Sequence, residues 1–201
     1  MRKRYLALVL SSLLVFALLA SACGGGGGAP PECETDEFGC AVFEKGQTVK
    51  IGMAGPMLGD YAAFGIDISN GGQIAIQDNP DVEGFAFELV VEDTGGAPEQ
   101  GAAVANKWAA DPQVVAIAGH IFSGETEAAM PIYAEAGIPM LSPSATNPDL
   151  TKSGSPVFNR IAFTDTVQAR FAAEYLYNTL GVRQIAVMHD GQAYGQALAE
   201  T

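Results

Sequence analysis

The sequence contains few of the side chains that catalytic and metal sites use. It has two histidines and three cysteines in 201 residues, and two thiols without a nearby histidine do not make a zinc site. His120 and His189 follow strand-like segments, where structural hydrogen bonding is more common than acid–base work. The nucleophile motif Gly-x-Ser-x-Gly is missing around Ser123, because Ile121 stands where its first glycine belongs. With no phosphate-binding loop either, we expect no catalytic residue, metal or cofactor, and favour a binding protein over an enzyme.

Positive charge is scarce as well. The chain carries 10 Lys and Arg against 23 Asp and Glu. Three of the basic residues are Arg2, Lys3 and Arg4, so the chain beyond them has 7 basic and 23 acidic residues and a net charge of −16. Such a surface repels nucleic acid and anionic lipid. We therefore expect no nucleic-acid partner and interpret the charge as that of a protein kept soluble outside the cell.

Long apolar runs are confined to the N-terminus, where a stretch from Tyr5 to Ala20 follows the three basic residues. This pattern predicts a secretory signal and not a transmembrane anchor. The junction Leu19-Ala20-Ser21-Ala22-Cys23-Gly24 resembles a bacterial lipobox, although Ala20 stands where leucine is usual. We predict a lipoprotein signal peptide at residues 1–22 and a lipid-modified Cys23. A plain signal peptide that ends near Ala22 is the alternative.

Residues 23–47 have the composition of a tether. Gly24 to Gly28 and Pro30-Pro31 cannot build a packed core. Six residues separate Cys33 from Cys40 along the chain, and an exported protein enters an oxidising compartment. We expect these two cysteines to form a small disulfide loop.

From Thr48 onward, short apolar runs alternate with longer helical patterns. This order predicts an α/β fold with a parallel sheet and helices on both faces. The last helical pattern has no C-cap signal, so we interpret the chain as an N-terminal fragment. The predicted strands are 49–54, 85–92, 114–118, 138–141, 157–162 and 184–188, and the predicted helices are 60–78, 98–110, 124–136, 165–180 and 194–201.

Polar clusters follow three of the predicted strands, at 123–126, 142–148 and 189–195. In an open α/β sheet the carboxyl ends of the strands and the helix N-termini offer unpaired N–H groups to an anion. Ser123, Ser144 and Thr146 are therefore candidates for binding a ligand carboxylate. Ser123 is also a natural N-cap for the following helix, a role that needs no ligand.

Three further residues are candidates for ligand contact. Asp165 precedes a helix, where it can form a capping box with Gln168 or pair with a ligand ammonium. Phe64 and Tyr194 lie in glycine-rich, turn-like contexts. These two aromatic residues either close over an apolar ligand from two sides or pack as ordinary core.

A series of short strings runs from about Val49 to the last residue. They are Lys50-Ile51-Gly52 with Gly55-Pro56, Tyr61-Ala62-Ala63-Phe64-Gly65, Val104-Ala105-Asn106-Lys107, Ile132-Tyr133-Ala134-Glu135-Ala136-Gly137-Ile138-Pro139, Ser142-Pro143-Ser144-Ala145-Thr146-Asn147-Pro148, and His189-Asp190 with Tyr194-Gly195. Together they resemble the leucine/isoleucine/valine-binding protein family, the type I periplasmic binding proteins of ABC transporters.

The resemblance implies two α/β lobes, made of parallel sheets flanked by helices, that close on a small ligand about a hinge. Residues 48–164 match the first ligand-binding lobe, and residues 165–201 match the start of a second lobe that is incomplete. Some relatives have a cysteine pair in the first lobe, where this chain has Gly95 or its neighbour and Phe122. That disulfide is therefore not expected.

The resemblance also implies a role for each candidate residue. Ser123 and Thr146 match hydroxyl donors to the ligand α-carboxylate, and the Ser144 carbonyl matches a contact to its ammonium. The other matches are Phe64 as an aromatic wall, Asp165 at the first lobe crossing and Tyr194 as the second-lobe aromatic. In the family, the acidic residue that binds the ligand ammonium lies beyond residue 201. The resemblance therefore leaves the identity of the ligand open: branched-chain and other amino acids, short amides, urea and aromatic acids are all candidates.

We therefore expect a lipid-anchored, periplasmic or cell-surface receptor that captures an amino acid, by preference aliphatic, and delivers it to an ABC permease in the membrane. The ligand-binding ectodomain of a sensor is the first alternative. An exported hydrolase with Ser123 as nucleophile is a weaker one, because the elbow and a positioned histidine are missing.

Overall fold

The computed structural model describes Cys33 and residues 35–201. The predicted signal peptide at 1–22, the predicted lipid site Cys23 and most of the tether lie outside the described residues. The chain divides into one unit that ends at Asp36 and a second unit from Glu37 to Thr201. Cys33 and Cys40 are both disulfide-bonded, and their pairing with each other stays a prediction. All that follows concerns the second unit.

A six-stranded sheet forms the centre of this unit, in the order β2-β3-β1-β4-β5-β6. The longest strands lie in the middle, where β1 pairs in parallel with both β3 and β4. The short β2 is the exception, because it forms an antiparallel hairpin with β3. The strands are β1 Thr48–Gly55, β2 Asp81–Val82, β3 Phe85–Asp93, β4 Val114–Gly119, β5 Met140–Ser142 and β6 Phe158–Arg160.

The helices connect the strands as in a series of β-α-β units. Pro98 starts α2, at a position where its missing N–H costs nothing. A short 3-10 turn, Gly59–Tyr61, precedes α1, and a π-helical turn, Tyr175–Thr179, follows α5. The helices are α1 Ala62–Asp78, α2 Pro98–Ala109, α3 Ser123–Ala136, α4 Asp149–Lys152, α5 Asp165–Glu174 and α6 Ala193–Glu200.

The buried core has two parts. The larger cluster packs α2 and α3 on the sheet around Trp108, Ile117 and Tyr133. The smaller cluster contains Met53 and Leu89, with side chains of α1 packed against it. Trp108 is 2% exposed, and truncating such a side chain to alanine costs about 3–5 kcal/mol. The predicted α/β architecture, a mostly parallel sheet flanked by helices, is confirmed.

The predicted strand at 184–188 is not formed. These residues take no part in the sheet, and the side chains of Ile185, Val187 and Met188 are 62%, 59% and 91% exposed. An extended segment becomes a strand only when a neighbour supplies its hydrogen bonds, and no other described segment lies beside this one in a sheet. The predicted helix 165–180 also keeps α-helical geometry only to Glu174, where the π-helical turn begins.

The segment before β1 contacts the folded unit at two points. Phe43 packs edge-on against Phe85, with 6.3 Å between the ring centroids. The backbone of Phe38 packs against Gly137, which is the C-cap of α3 and has a left-handed φ of +68°. A Cβ at position 137 would lie 2.8 Å from the Phe38 carbonyl oxygen. Glycine at 137 therefore satisfies both the cap and this close contact.

Candidate functional site

Three segments meet at the carboxyl edge of the sheet: the start of α3, the loop after β5 and the start of α5. The Ser123 hydroxyl accepts a hydrogen bond from the Asn147 N–H at 3.3 Å. The Asp165 N–H donates to the Thr146 carbonyl at 3.0 Å. The Ser144 hydroxyl donates to the Ile121 carbonyl at 2.7 Å. The structure thus brings Ser123, Ser144, Thr146 and Asp165 together, and their role in ligand binding stays a prediction.

The predicted N-cap role of Ser123 is wrong. Phe122 occupies the N-cap position, and Ser123 is the first residue of α3. The Glu125 carboxylate reaches back and accepts the Phe122 N–H at 2.8 Å, since a glutamate three residues into a helix can satisfy the N-cap amide. Ser123 is 2% exposed and uses its oxygen as an acceptor, so its hydroxyl hydrogen remains available. The first N–H groups of α3 have no acceptor within the helix.

Asp165 does not form the predicted capping box. Thr164 is the N-cap of α5, and Gln168 instead donates to the Tyr194 hydroxyl at 3.3 Å. Asp165 has no exposed surface, and both of its carboxylate oxygens lack a hydrogen-bond partner. Burial raises the pKa of Asp165, while the nearby Thr146 hydroxyl opposes that rise.

The Thr146 hydroxyl is the second unpaired group at this place. It lies close enough to Asp165 to favour the charged carboxylate, but the two groups do not reach hydrogen-bond geometry. A buried polar group without a partner costs about 1–3 kcal/mol. The structure therefore holds two such groups side by side, next to the N-terminus of α3.

Arg160 was missed by the sequence analysis, although it places a positive charge directly at a strand end. Its guanidinium donates to the carbonyls of Ala145 at 3.2 Å and Asn147 at 2.7 Å. These bonds fix the backbone on both sides of Thr146. The positive charge also acts on Asp165 and partly offsets the effect of burial on its pKa.

Aromatic side chains cover the other side of the α3 N-terminus. Phe64 is 58% exposed and packs edge-on against Phe122 at 6.2 Å, while Tyr61 contacts the same ring at 5.3 Å. The Phe122 ring lies over Gly96, where a Cβ would be only 2.7 Å from it. Phe64 thus contacts the residue that directly precedes Ser123.

Tyr194 approaches the site from α6. The Asn147 side chain donates to the Ala193 carbonyl at 3.2 Å, which holds the start of α6 beside the loop after β5. Tyr194 is 43% exposed. In the described part of the chain its ring makes no contact with Phe64, so closure of the two rings over a ligand stays a prediction.

A groove lies beside Tyr194. It has a volume of about 670 Å³ and runs between α5, residues 187–190 and α6. Most of its lining is apolar, with Ala172, Val187, Met188 and Leu198 among its side chains. Its lining also includes Gln168, His189 and Asp190, but none of its lining residues is a buried polar group without a partner, so we take the polar groups around Thr146 as the candidate site.

Comparison with known proteins identifies the class of protein that this fold and site define. Residues 48–201 match the family model described as periplasmic binding protein. The chain belongs to this family, which is a family of solute-binding proteins and not of enzymes.

Individual relatives agree with this assignment. An amino acid binding protein from Pseudomonas aeruginosa is 36% identical over 155 residues, which cover 76% of this chain and 41% of the relative. The leucine-specific-binding protein from Salmonella typhimurium is 37% identical over 156 residues, which cover 76% of this chain and 42% of the relative. The chain thus spans less than half the length of these relatives.

Solved structures show the same similarity. The leucine binding protein LivK from Thermotoga maritima superposes with a TM-score of 0.72 at 34% identity, over 76% of this chain and 44% of that one. An ABC transporter substrate-binding protein from Desulfitobacterium hafniense in complex with leucine gives 0.63 at 32% identity, over 77% and 45%. The resemblance to the leucine/isoleucine/valine-binding family and the type I periplasmic binding protein fold are both confirmed.

Proposed function

We propose that this chain is the amino-acid-binding part of an extracytoplasmic solute-binding protein that supplies an ABC importer. The observation that carries the proposal is the pair of unpaired, buried polar groups, the Thr146 hydroxyl and the Asp165 carboxylate. Each is costly without a partner. A small ligand that carries a carboxylate and an ammonium supplies partners for both, and the names of the relatives point to the same ligand class.

In this proposal each candidate residue has one task. Ser123 and Thr146 donate their hydroxyl hydrogens to the ligand carboxylate, beside the free N–H groups at the start of α3. The Ser144 carbonyl accepts from the ligand ammonium, and the negative charge of Asp165 favours the same group. The residues bind without catalysis, because they include no nucleophile paired with a base.

The apolar part of the ligand is contacted by Phe64 and Tyr194, which favours an aliphatic side chain such as that of leucine. Residues 48–164 form one ligand-binding lobe and 165–201 begin the second. The signal peptide at 1–22, the lipid on Cys23 and the tether at 23–47 hold the protein at the outer side of a membrane, where a permease receives the ligand. The composition of these N-terminal segments supports this placement.

Calorimetry on the full-length protein tests the ligand class. We expect leucine, isoleucine or valine to bind, and we expect two leucine analogues to bind at least about tenfold more weakly. Leucinol lacks the carboxylate, and 4-methylpentanoate lacks the ammonium. Equal affinity for leucine and both analogues would contradict recognition of an amino acid, and preference for urea, short amides or aromatic acids would replace the proposed ligand.

A pair of variants locates the carboxylate site. Thr146→Ala removes the unpaired hydroxyl, so it should reduce the preference for leucine over leucinol. Thr179→Ala is the matched control, because Thr179 is exposed and lies outside the candidate site. Uptake of labelled leucine by cells that lack the gene then separates an importer from a sensor, since only an importer's loss reduces uptake.

A further inference from the structure

A polar cluster at the end of β3, partly buried and partly exposed, connects the two sides of the candidate site. It consists of Asp93, Thr94 and Glu125, and we call it the β3 clamp. Asp93 and Thr94 are consecutive residues, and their side chains reach different loops. None of these three side chains is among the residues that we propose to contact the ligand.

The Thr94–Glu125 half holds the loop that leads into Ser123. Glu125 has no exposed surface and Thr94 is 1% exposed. One Glu125 oxygen accepts the Ile121 N–H at 2.9 Å and the Phe122 N–H at 2.8 Å. The other oxygen accepts the Thr94 hydroxyl. The backbone just before Ser123 is therefore attached, through Glu125, to the end of β3.

The Asp93 half holds the loop that leads into α1. One Asp93 oxygen accepts the Met57 N–H at 2.6 Å, the Leu58 N–H at 3.3 Å and the Gly95 N–H at 3.1 Å. This loop continues directly into Tyr61 and Phe64, the residues that pack on Phe122. The position of the aromatic side of the site is thus set from the same strand end.

We infer that Asp93 and Thr94 are positioning residues that fix the spacing between the aromatic side and the hydroxyl side of the ligand site. The inference rests on the proposed function. Two consecutive residues of a paired strand cannot move far apart, and binding sites depend on supporting hydrogen bonds that hold contact residues to within about 0.5 Å. Asp93 acts through Phe64 on the ligand side chain, and Thr94 acts through Glu125 and Ser123 on the ligand carboxylate.

The two halves therefore have separable effects on ligand preference. In the full-length protein, Asp93→Ala should reduce the leucine-to-alanine affinity ratio by about fivefold or more, and leave the leucine-to-leucinol ratio within about twofold. Thr94→Val should do the reverse. Thr94→Ser restores the hydroxyl and should return both ratios to the wild-type values. Asp93→Ser is the milder variant if Asp93→Ala does not fold, because a serine can keep the Gly95 turn while losing the reach to Met57.

Asp111→Ala is the matched control. Asp111 also accepts a backbone N–H, from Gln113 at 3.0 Å, and binds Lys50 at 2.8 Å, but it lies before β4 at the opposite edge of the sheet. It should lower the unfolding midpoint without changing either affinity ratio. If the clamp variants behave like this control, or if each changes both ratios equally, the inference is overturned.

Amide hydrogen exchange in the ligand-free protein tests the clamp independently of any ligand. Asp93→Ala should speed exchange at Met57 and Leu58, and Thr94→Val should speed exchange at Ile121 and Phe122. If wild-type protein binds none of the probes, the proposed function fails, and the exchange result still decides the clamp. Unchanged exchange at these four amides would overturn it.

Discussion

Replacing Thr146 with valine tests two effects of its unpaired hydroxyl separately: the effect on the stability of the protein and the effect on ligand affinity. Valine keeps the branched shape of threonine, but it has a methyl group where Thr146 has a buried oxygen without a partner. Removing that oxygen should raise the free energy of unfolding of the ligand-free protein by about 1–2 kcal/mol, because the relief of an unpaired hydroxyl should exceed the loss of its favourable effect on the Asp165 carboxylate. The same change should weaken amino acid binding by about 1.5–3 kcal/mol, the usual value of a hydrogen bond to a charged group.

Thr126→Val is the matched control for stability. Thr126 has no exposed surface, and its hydroxyl donates to the Phe122 carbonyl at 2.8 Å. Valine at 126 removes a hydroxyl that makes a hydrogen bond, so the free energy of unfolding of this variant should fall by about 0.5–1.5 kcal/mol. The same substitution at two threonines, each with a buried hydroxyl, is thus expected to change stability in opposite directions.

Urea unfolding and calorimetry measure the two effects. Trp108 is the only tryptophan of the sequence and is 2% exposed, so its fluorescence reports loss of the core. If Thr146→Val lowers the unfolding free energy as Thr126→Val does, the Thr146 hydroxyl has a partner in the free protein and the reasoning fails. Unchanged affinity for the amino acid in Thr146→Val would refute its role in binding.

Three other predictions concern pH and covalent state. Burial raises the pKa of Asp165 above its usual 3.8, so Asp165→Asn should be more stable than wild type at pH 7. The difference between their free energies of unfolding should shrink towards pH 3.8, where the carboxylate becomes protonated. If urea unfolding shows the same difference at every pH, this prediction is wrong. Burial lowers the pKa of His120 to about 3. The free energy of unfolding of the wild type should therefore fall by up to about 1.4 kcal/mol per pH unit below pH 6.5, and His120→Gln should make this fall less steep. Equal slopes for the two proteins would count against this prediction. Mass analysis should find lipid on Cys23 and one Cys33–Cys40 linked peptide; a soluble protein with another first residue, or two free thiols, would refute these.

The sequence predicts the central strands well because their signal is local. Val114 to Ala118 is an unbroken apolar run, which a strand buried on both faces requires, and it lies in β4. The run at 184–188 has the same character but forms no strand. Whether an apolar run becomes a strand depends on a neighbour that supplies hydrogen bonds, and a single run carries no information about that neighbour.

The candidate site, like the sheet, is predictable from the sequence in part only. The positions of Ser123, Thr146 and Asp165 at strand ends predict that they meet, because parallel strands bring their carboxyl ends to one edge. Which groups are left without partners is not predictable in this way. It depends on side-chain reach: Glu125 is long enough to take the capping role expected of Ser123, and the Asp165 carboxylate ends beside Thr146 without bonding to it.

The contact between Phe38 and Gly137 has a practical consequence for handling the protein. It lies at the C-terminal end of α3, whereas Ser123 starts the same helix. Fourteen residues of α-helix span about 21 Å, so Phe38 lies at the end of α3 that is remote from Ser123. A reporter group attached close to Phe38 should therefore leave the ligand's approach open, whereas a label near Gly124 would stand in its way.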